Sequence, residues 1–585
     1  MYLRICGEKV GKKMIKKTYI VVKQWLADAF ETRTDRITAA AVVLFVILNA
    51  LKITIFNQIL VPNADKWMFR YKFLNTMLIL IIFYPLLFKL RSRVLLVVFY
   101  ILQVLYIIIS MSYYLYFENY LHLEQFISNF YEGSLAVKNS SAPQNPMVLT
   151  AFIDLPFFVW LAAVYPRANR LRHKFRVLIY IAVVFSVGTV AVTQYEQYKE
   201  RNFLTHIAGN MFLGESRIVQ RYGTLINNAV SIYNKKSTEE YVNSFIYGKD
   251  VTNEKEAAKK PDIFIIQTEA LDASIVQQKH NGEYVMPYLN SLTNSAVYYP
   301  YMMSYHLGGG TSDCEFSVIN GIEPLLNYPA IKLTTYDAPN SFISRLAAAA
   351  YEVNAFHGNI ARYYNRDMSF FKYGIHEYYD IAKMSLKDVG WGAPDSQVFD
   401  FALERSREAK EPFLSYIITM SSHIPYTNVS HYYNNNAYDG IPEEMVRNYY
   451  NSMSYVDKAM EDFIKSVREE YDNAYIFIFG DHRSKVDSSN IFKQASVKID
   501  DKLYEFVPLF IITPDGMKYR EEKMAASFLD VGITILNASG IKYSIKSFGT
   551  DLLKPGGGNE SKIPYRGLQW DRRELFGRIS EALGR

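Results

Sequence analysis

This 585-residue chain contains only two cysteines, Cys6 and Cys314. That scarcity excludes a disulfide-stapled scaffold and a cysteine-based metal cluster. With Cys6 read as cytoplasmic and Cys314 as extracytoplasmic, the two cannot pair within one chain, and Cys314 reads as a small semi-buried residue. Excess charge of one sign is also scarce: 64 Lys and Arg against 58 Asp and Glu leave a formal charge of +6. That excess lies in the first third, beside apolar segments. No basic stripe or nucleic-acid-binding motif accompanies it, so no nucleic-acid partner is expected. The N-terminus lacks a short apolar core followed by a cleavage site, and no removable signal peptide is expected.

What is abundant is apolar: half of the residues are hydrophobic and 15% are aromatic. Five runs, near 37–56, 73–88, 94–117, 147–165 and 177–195, approach the ~17–25 residues needed to cross a bilayer. They are apolar around their full circumference, unlike helices that cover a soluble core. Lys and Arg gather in the N-terminal arm (Lys9, Lys12, Lys13, Lys16, Lys17), in the 89–93 loop and in the 166–176 loop, while 118–146 is poor in them. Positive charge stays on the cytoplasmic side, so the N-terminus is expected inside and everything after about residue 196 outside. Lys66, Arg70 and Lys72 run against this rule without inverting it. The predicted organisation is a transmembrane domain of about five helices over 1–196, a juxtamembrane linker over 197–260 and an extracytoplasmic domain over 261–585. Short surface-lying helices are expected in the linker, with the Lys/Glu/Ala-rich stretch 249–260 as a solvated tether.

From residue 261 onward short apolar runs alternate with amphipathic patterns. Strands are predicted near 263–267, 353–356, 413–419, 475–479 and 508–512, and helices near 312–319, 341–350, 443–469 and 525–538. This alternation predicts an α/β fold around a mostly parallel sheet. Acidic or imidazole residues follow four of the strands: Glu269, His357, the Ser421-Ser422-His423 triplet, and Asp481-His482. Ligands of open α/β sheets bind beyond the carboxyl ends of the strands. Glu269, Asp481 and His482 form a donor set suited to Mn²⁺, Mg²⁺ or Zn²⁺.

One glycine-rich stretch, His306-Leu307-Gly308-Gly309-Gly310-Thr311-Ser312-Asp313-Cys314-Glu315-Phe316, lets backbone approach a ligand. Ser312 and Glu315 have the spacing of a helix capping box, which would leave Thr311 just outside a helix N-terminus where an anion is favoured. Its hydroxyl could attack phosphorus if its pKa were lowered, as a metal would do. His423, His357 and Arg366 are candidates to hold phosphate oxygens or to protonate a leaving group, with a salt bridge to a neighbour such as Asp367 as the plainer role for Arg366. His306 has no pattern behind it and reads as structural.

Taken in order, these pieces resemble the lipoteichoic acid synthase and phosphoglycerol transferase family, within the membrane-bound part of the sulfatase/alkaline phosphatase superfamily. The matching motifs are Ile265-Ile266-Gln267-Thr268-Glu269, Gly310 to Phe316, His357-Gly358-Asn359, Tyr364-Asn365-Arg366-Asp367, Ser422-His423-Ile424-Pro425-Tyr426, Gly480-Asp481-His482, Ile535-Leu536-Asn537 and Phe548-Gly549-Thr550-Asp551-Leu552-Leu553. The resemblance implies a five-helix membrane domain followed by a sulfatase-like catalytic domain outside the bacterial cytoplasmic membrane. It implies transfer of the phosphoglycerol headgroup of phosphatidylglycerol to an envelope glycan or polymer hydroxyl, through a covalent phospho-threonine. Thr311 would be the nucleophile; Glu269, Thr311, Asp481 and His482 would hold one divalent metal, foremost Mn²⁺ with Mg²⁺ or Zn²⁺ as alternatives. His423, Arg366, His357 and Tyr364 would contact the phosphoglycerol group, with Tyr364 standing where Trp is common.

Two departures bear on the substrate. Gly310 stands where lipoteichoic acid synthases often have Lys, and Arg483-Ser484 follows Asp481-His482 in place of Tyr-Gly. The Cys-x-Pro-Ser-Arg motif behind formylglycine is missing, which argues against sulfate-ester hydrolysis. The alternative donor is phosphatidylethanolamine, for a phosphoethanolamine transferase acting on lipid A or another glycan. A third reading is a non-catalytic, sulfatase-like lipid sensor, which would be expected to have lost metal ligands.

Overall fold

The computed structural model describes residues 33–60, 93–117, 146–164, a few isolated positions between them, and 237–582 apart from 327, 487–495, 500–501, 522 and 555–560. The chain divides into two compact units, the first comprising 1–137 with 141–235 and the second 138–140 with 236–585.

Among the described residues of the first unit the main helices are α1 (Arg33–Ile59), α2 (Arg93–Phe117) and α3 (Leu155–Val164), with a 3₁₀ turn, Pro146–Phe152, ahead of α3. Within α2, the 21 residues Val94–Tyr114 are long and apolar enough to cross a membrane, and among the described residues this is the one helix that is. Of the predicted runs, 94–117 is α2, 37–56 lies within α1, and 147–165 breaks into the turn and the ten-residue α3. The runs 73–88 (Thr76 apart) and 177–195 lie outside the described residues. The interior of this unit is not wholly apolar. Lys52 Nζ lies 2.8 Å from Asp154 Oδ1 and donates to Gln103 Oε1 at 3.0 Å. Asp154 also accepts from Asn49 Nδ2 and Tyr100 OH, both at 2.8 Å. A buried ion is costly alone and tolerable when paired and hydrogen-bonded.

The second unit is built on ten strands: β1 (Asp262–Thr268), β2 (Val297–Ser304), β3 (Glu352–His357), β4 (Glu377–Tyr379), β5 (Phe413–Ile418), β6 (Ala474–Gly480), β7 (Ser496–Ile499), β8 (Lys502–Ile512), β9 (Tyr519–Arg520) and β10 (Ala526–Ser527). Their order across the sheet is β9-β2-β8-β6-β1-β5-β3-β4, with β7 pairing β8 and β10 pairing β2. The run β6-β1-β5-β3-β4 is parallel throughout. β8 is antiparallel to both β6 and β2. The sheet is thus mostly parallel but mixed.

Central strand β1 shows why the sheet is buried on both faces. Ile263 and Ile265 enter one apolar cluster and Phe264 and Ile266 the other. A strand covered on both sides reads as a continuous apolar run rather than an alternating one. The longer helices are α4 (Thr311–Asn320), α5 (Phe342–Ala348), α6 (Arg366–Tyr373), α7 (Asp395–Glu408), α8 (Glu444–Glu470), α9 (Phe528–Ser539) and α10 (Arg572–Ala582). Phe316 of α4 and Phe528 of α9 join the Ile263 side, while Phe399 of α7 and Phe463 of α8 join the Phe264 side. In α8, buried residues such as Val446, Tyr449, Tyr450, Met453, Val456 and Met460 recur at helical spacing.

Residues 249–260, expected as a solvated tether, are docked. Lys249–Asn253 pairs antiparallel with Tyr543–Ser547, and Ala257 N donates to Gly540 O. Backbone pairing, invisible in a Lys- and Glu-rich composition, holds this stretch to the domain. The linker between 197 and 236 lies almost wholly outside the described residues.

Candidate active site

Register brings the strand-end residues together. Thr268 of β1 lies opposite Gly480 of β6, so Glu269 and Asp481 leave the sheet as neighbours. Gly480 is required here, because a Cβ would run into the Leu271 carbonyl of the loop after β1. Asp481 N donates to Thr268 O, and Asp481 Oδ1 accepts from Ala270 N at 2.8 Å and from His482 N at 2.7 Å. On the other side, Glu269 N donates to Thr419 Oγ1 and Ser422 Oγ donates to Glu269 O. Glu269 is therefore fixed by the loops after β5 and β6.

Ligand atoms of Glu269, Asp481 and His482 all lie within 4.8 Å of one another, and all three residues are buried. His482 Nε2 is 3.3 Å from Glu269 Oε1 and 3.5 Å from Asp481 Oδ2. Asp481 Oδ2 is buried with no hydrogen-bond partner. A buried carboxylate oxygen left bare beside a second carboxylate calls for a positive charge. The protonation pattern says the same. Burial and then the charge of Glu269 push Asp481 well above the usual carboxylate range. Burial opposes a charge on His482, but Asp481 and Glu269 outweigh it and raise the imidazole to about 10. Burial likewise opposes ionisation of Glu269, which His482 and His423 outweigh, holding it below the usual range. Two carboxylates and one imidazole around an unpaired oxygen fit a divalent cation.

Thr311 is the first residue of α4, with Gly310 as its N-cap. Thr311 Oγ1 donates to Glu269 Oε2 at 3.3 Å and lies 3.4 Å from His482 Nε2. The capping box expected from Ser312 and Glu315 does not form. Ser312 Oγ donates to Gly309 O, and Glu315 is drawn away by Arg366. Asp313 organises the loop instead, its Oδ2 accepting from Leu307 N and Gly309 N at 2.8 Å each. Thr311 accordingly sits within the first turn rather than outside it.

The remaining predicted residues border this cluster. Arg366, fully enclosed, donates from Nε at 2.8 Å and Nη2 at 2.5 Å to the two oxygens of Glu315. Its ion-pair partner is thus Glu315 on α4, not the adjacent Asp367. His423 makes its Nδ1 contact with Ile424 O at 2.8 Å, and its ring packs 4.1 Å from Trp391. Burial, opposed by Glu269, lowers the pKa of His423. His357 is held by Ile418 O at 3.0 Å, and burial together with Arg366 pushes it down to about 3. Tyr364 and Asn365 both have positive φ, 60° and 55°, and the Arg366 guanidinium lies 5.3 Å from the Tyr364 ring. Consecutive non-glycine residues in that region mark a segment over-determined by its surroundings.

Two contributors were not singled out in the sequence, and a third, His306, was read there as structural. Trp391 supports His423. Asp395 accepts from Met420 N at 2.7 Å and from Ser421 N, and so shapes the His423 loop. His306 lies against the metal-ligand cluster, its ring stacked 4.5 Å from that of His482. None follows a predicted strand in the pattern that flagged the others.

Residues 261–541 match the sulfatase family. Over 328 residues the chain is 28% identical to the lipoteichoic acid synthase of Staphylococcus aureus (strain USA300), an alignment covering 53% of this chain and 50% of that protein. The chain spans about half the length of the curated relatives it matches. Among solved structures, the integral membrane lipooligosaccharide phosphoethanolamine transferase A of Neisseria meningitidis superposes over 86% of this chain and 95% of its own, with TM-score 0.53 and 13% identity. The lipoteichoic acid synthase LtaP of Listeria monocytogenes covers 59% of this chain and 97% of its own, with TM-score 0.47 and 20% identity. The resemblance read from the ordered motifs is borne out at the level of the domain and its relatives.

Proposed function

We propose that this chain is a membrane-bound phosphoglycerol transferase that moves the headgroup of phosphatidylglycerol through Thr311 onto a glycan or polymer hydroxyl. The observation that carries the reading is the position of Thr311 Oγ1, at a helix N-terminus and 3.3 and 3.4 Å from Glu269 and His482. Glu269, Asp481 and His482, joined by Thr311, would hold one divalent cation. That ion would lower the pKa of the Thr311 hydroxyl and neutralise phosphoryl charge. Helix α2 supports a membrane location, as does the need to reach a lipid donor.

Each residue then has a task. Thr311 Oγ gives up its proton toward Glu269 and forms a bond to phosphorus, while the bond from phosphorus to the diacylglycerol oxygen breaks. Because the Ile424 carbonyl accepts at Nδ1 of His423, that nitrogen carries the hydrogen. His423 Nε2 is the atom that would exchange protons, provided the ring enters the step as the imidazolium: it would give one proton to the departing diacylglycerol oxygen and later recover one from the incoming hydroxyl, while Glu269 returns its proton to the departing Thr311. The incoming oxygen then bonds to phosphorus and Thr311 leaves. Arg366 spends Nε and Nη2 on Glu315, so Nη1 is the nitrogen it would offer to phosphate. His357 is a neutral donor or acceptor at the wall, and Tyr364 covers Gly310 from the other side.

The test incubates the full chain in detergent with Mn²⁺ and labelled phosphatidylglycerol or phosphatidylethanolamine. Diacylglycerol release from phosphatidylglycerol, with a phosphoglycerol adduct on Thr311 by mass, is the expected result. Release from phosphatidylethanolamine instead would make it a phosphoethanolamine transferase. Release from neither would leave the sensor reading, and full transfer by Thr311→Ala with metal bound would sink the mechanism.

A further inference from the structure

The nucleophile loop begins at His306, which directly follows Tyr305 after β2. Strand β2 pairs antiparallel with β8, and Ser304 stands opposite Glu505. The carboxylate of Glu505 is therefore delivered to the start of the loop. Glu505 Oε2 lies 3.1 Å from His306 Nδ1, and Glu505 Oε1 accepts from Arg483 Nε at 3.0 Å. One carboxylate thus ties the nucleophile loop to the residue that follows His482. The His306 ring is fixed a second time by its stack on His482, at 4.5 Å and 16° between planes.

A carboxylate accepts and cannot donate, so His306 Nδ1 carries the hydrogen, and in the neutral ring Nε2 is the acceptor. That Nε2 lies 4.0 Å from the point where a Cβ on residue 310 would stand, and the Tyr364 hydroxyl lies 3.3 Å from the same point. Gly310 has φ 59° and ψ −133°, a conformation that side-chain-bearing residues rarely adopt. Two polar atoms from separate segments consequently converge over a bare backbone position next to Thr311. Gly310 and Arg483 are among the residues that depart from the family's motifs, and both belong to this cluster.

We propose that His306, oriented by Glu505 and Arg483, is a positioning residue whose Nε2 accepts a hydrogen bond from a second hydroxyl of the incoming alcohol, leaving the reacting O–H to His423, and so aims the reacting oxygen at the phosphorus carried by Thr311. This rests on the transferase reading above. The site would take an alcohol of a glycerol or sugar, since the contact needs a second O–H and the space over Gly310 is bordered by polar atoms. An acceptor hydroxyl held this way is distinguished from water by the second contact that Tyr364 OH makes with its carrier. His306 acts on the second half of the cycle, after diacylglycerol has left.

The experiment uses the full chain with Mn²⁺, labelled phosphatidylglycerol and free glycerol as acceptor, comparing wild type, His306→Ala and His306→Gln. In His306→Ala, turnover should fall about 10- to 100-fold, the size expected for loss of one well-placed hydrogen bond and its aim. The phosphoglycerol adduct on Thr311 should accumulate at steady state, and the KM for glycerol should rise. His306→Gln, whose side-chain carbonyl can accept from a hydroxyl, should restore much of the turnover and lower the adduct again. Loss of turnover without accumulation of adduct in both variants, or variants that behave as wild type, would overturn the proposal. If His306→Ala does not fold, His306→Gln decides: steady-state adduct at the wild-type level with lowered turnover refutes the role, and near-wild-type turnover with a raised KM for glycerol supports it. A wild-type chain that releases no diacylglycerol would overturn this proposal together with the transferase reading, whereas an active wild type with unchanged partitioning in the variants overturns this proposal alone.

Discussion

Removing one partner of the Arg366–Glu315 pair should be the most destabilising single change near the site. Both side chains are enclosed, 2% and 0% exposed, and joined by two hydrogen bonds of 2.8 and 2.5 Å. Either Glu315→Met or Arg366→Met leaves an uncompensated buried charge, at a cost of about 3–5 kcal/mol. At about 2 °C per kcal/mol for a large domain, the melting temperature should drop by roughly 6–10 °C. The double variant Glu315→Met/Arg366→Met removes both charges while keeping the volume, and should return to within about 1 kcal/mol of wild type. Thermal melting of the four proteins in detergent gives the cycle, and diacylglycerol release measured beside it separates two roles for Arg366. If the guanidinium also touches phosphate, the double variant regains stability but not activity. Single variants that melt within about 2 °C of wild type would refute the reasoning, as would a double variant less stable than the worse single one.

Three further outcomes are expected. Adding Mn²⁺ should raise the melting temperature, with a gain of about 2.7 kcal/mol at a hundredfold excess over Kd, and Asp481→Asn should abolish that response; an equal response in Asp481→Asn would place the cation elsewhere. Gly310→Ala forces a side chain into φ 59°, so it should cost about 1–2 kcal/mol and slow turnover by crowding the Tyr364 hydroxyl; a melting curve identical to wild type would count against the strain. Asp457 accepts from Tyr288 N and Leu289 N at 2.8 Å each, and burial pushes its carboxyl up to about 7. The folded chain then holds a proton that the unfolded chain releases near pH 4, so this contribution is full below pH 4 and is lost as pH rises toward 7. Asp457→Asn should flatten the decline of melting temperature across that interval, and an unchanged slope would reject it.

In the parallel half of the second unit's sheet, β1, β3, β5 and β6 were legible because they are apolar runs followed by acidic or imidazole residues, whereas the three-residue β4 was not. Glu269 and Asp481 could be placed together from that pattern, and in-register pairing of β1 with β6 is what unites them. Of the antiparallel half only 508–512, the end of β8, was legible. Strand β2, Val297–Ser304, is almost wholly buried and contains Pro300, so it shows no alternation and carries a residue that normally interrupts strands. His306 and Glu505 meet only through that strand, and this is why His306 read as structural. The Ser312/Glu315 spacing misled for a different reason: a buried partner 51 residues later outcompeted a local cap for the Glu315 carboxylate. Residues 249–260 misled because composition reports solvation and not backbone pairing. In the first unit, Lys52 and Asp154 lie in runs that read as apolar, and their mutual neutralisation is a tertiary fact.

The bond from Ala270 N to Asp481 Oδ1 spans 211 positions of sequence. Contacts that long form late, since the intervening chain must be ordered before its closure is repaid. Thr311 and Glu269 are synthesised early, but the other two donors arrive only with the end of β6. A chain halted or clipped anywhere before Asp481 contains Thr311 and Glu269 but lacks two of the three residues that form the cluster. On the proposed mechanism such fragments would be chemically silent. Assembly of the site is thus a late event in the life of the polypeptide, reached with completion of the sheet.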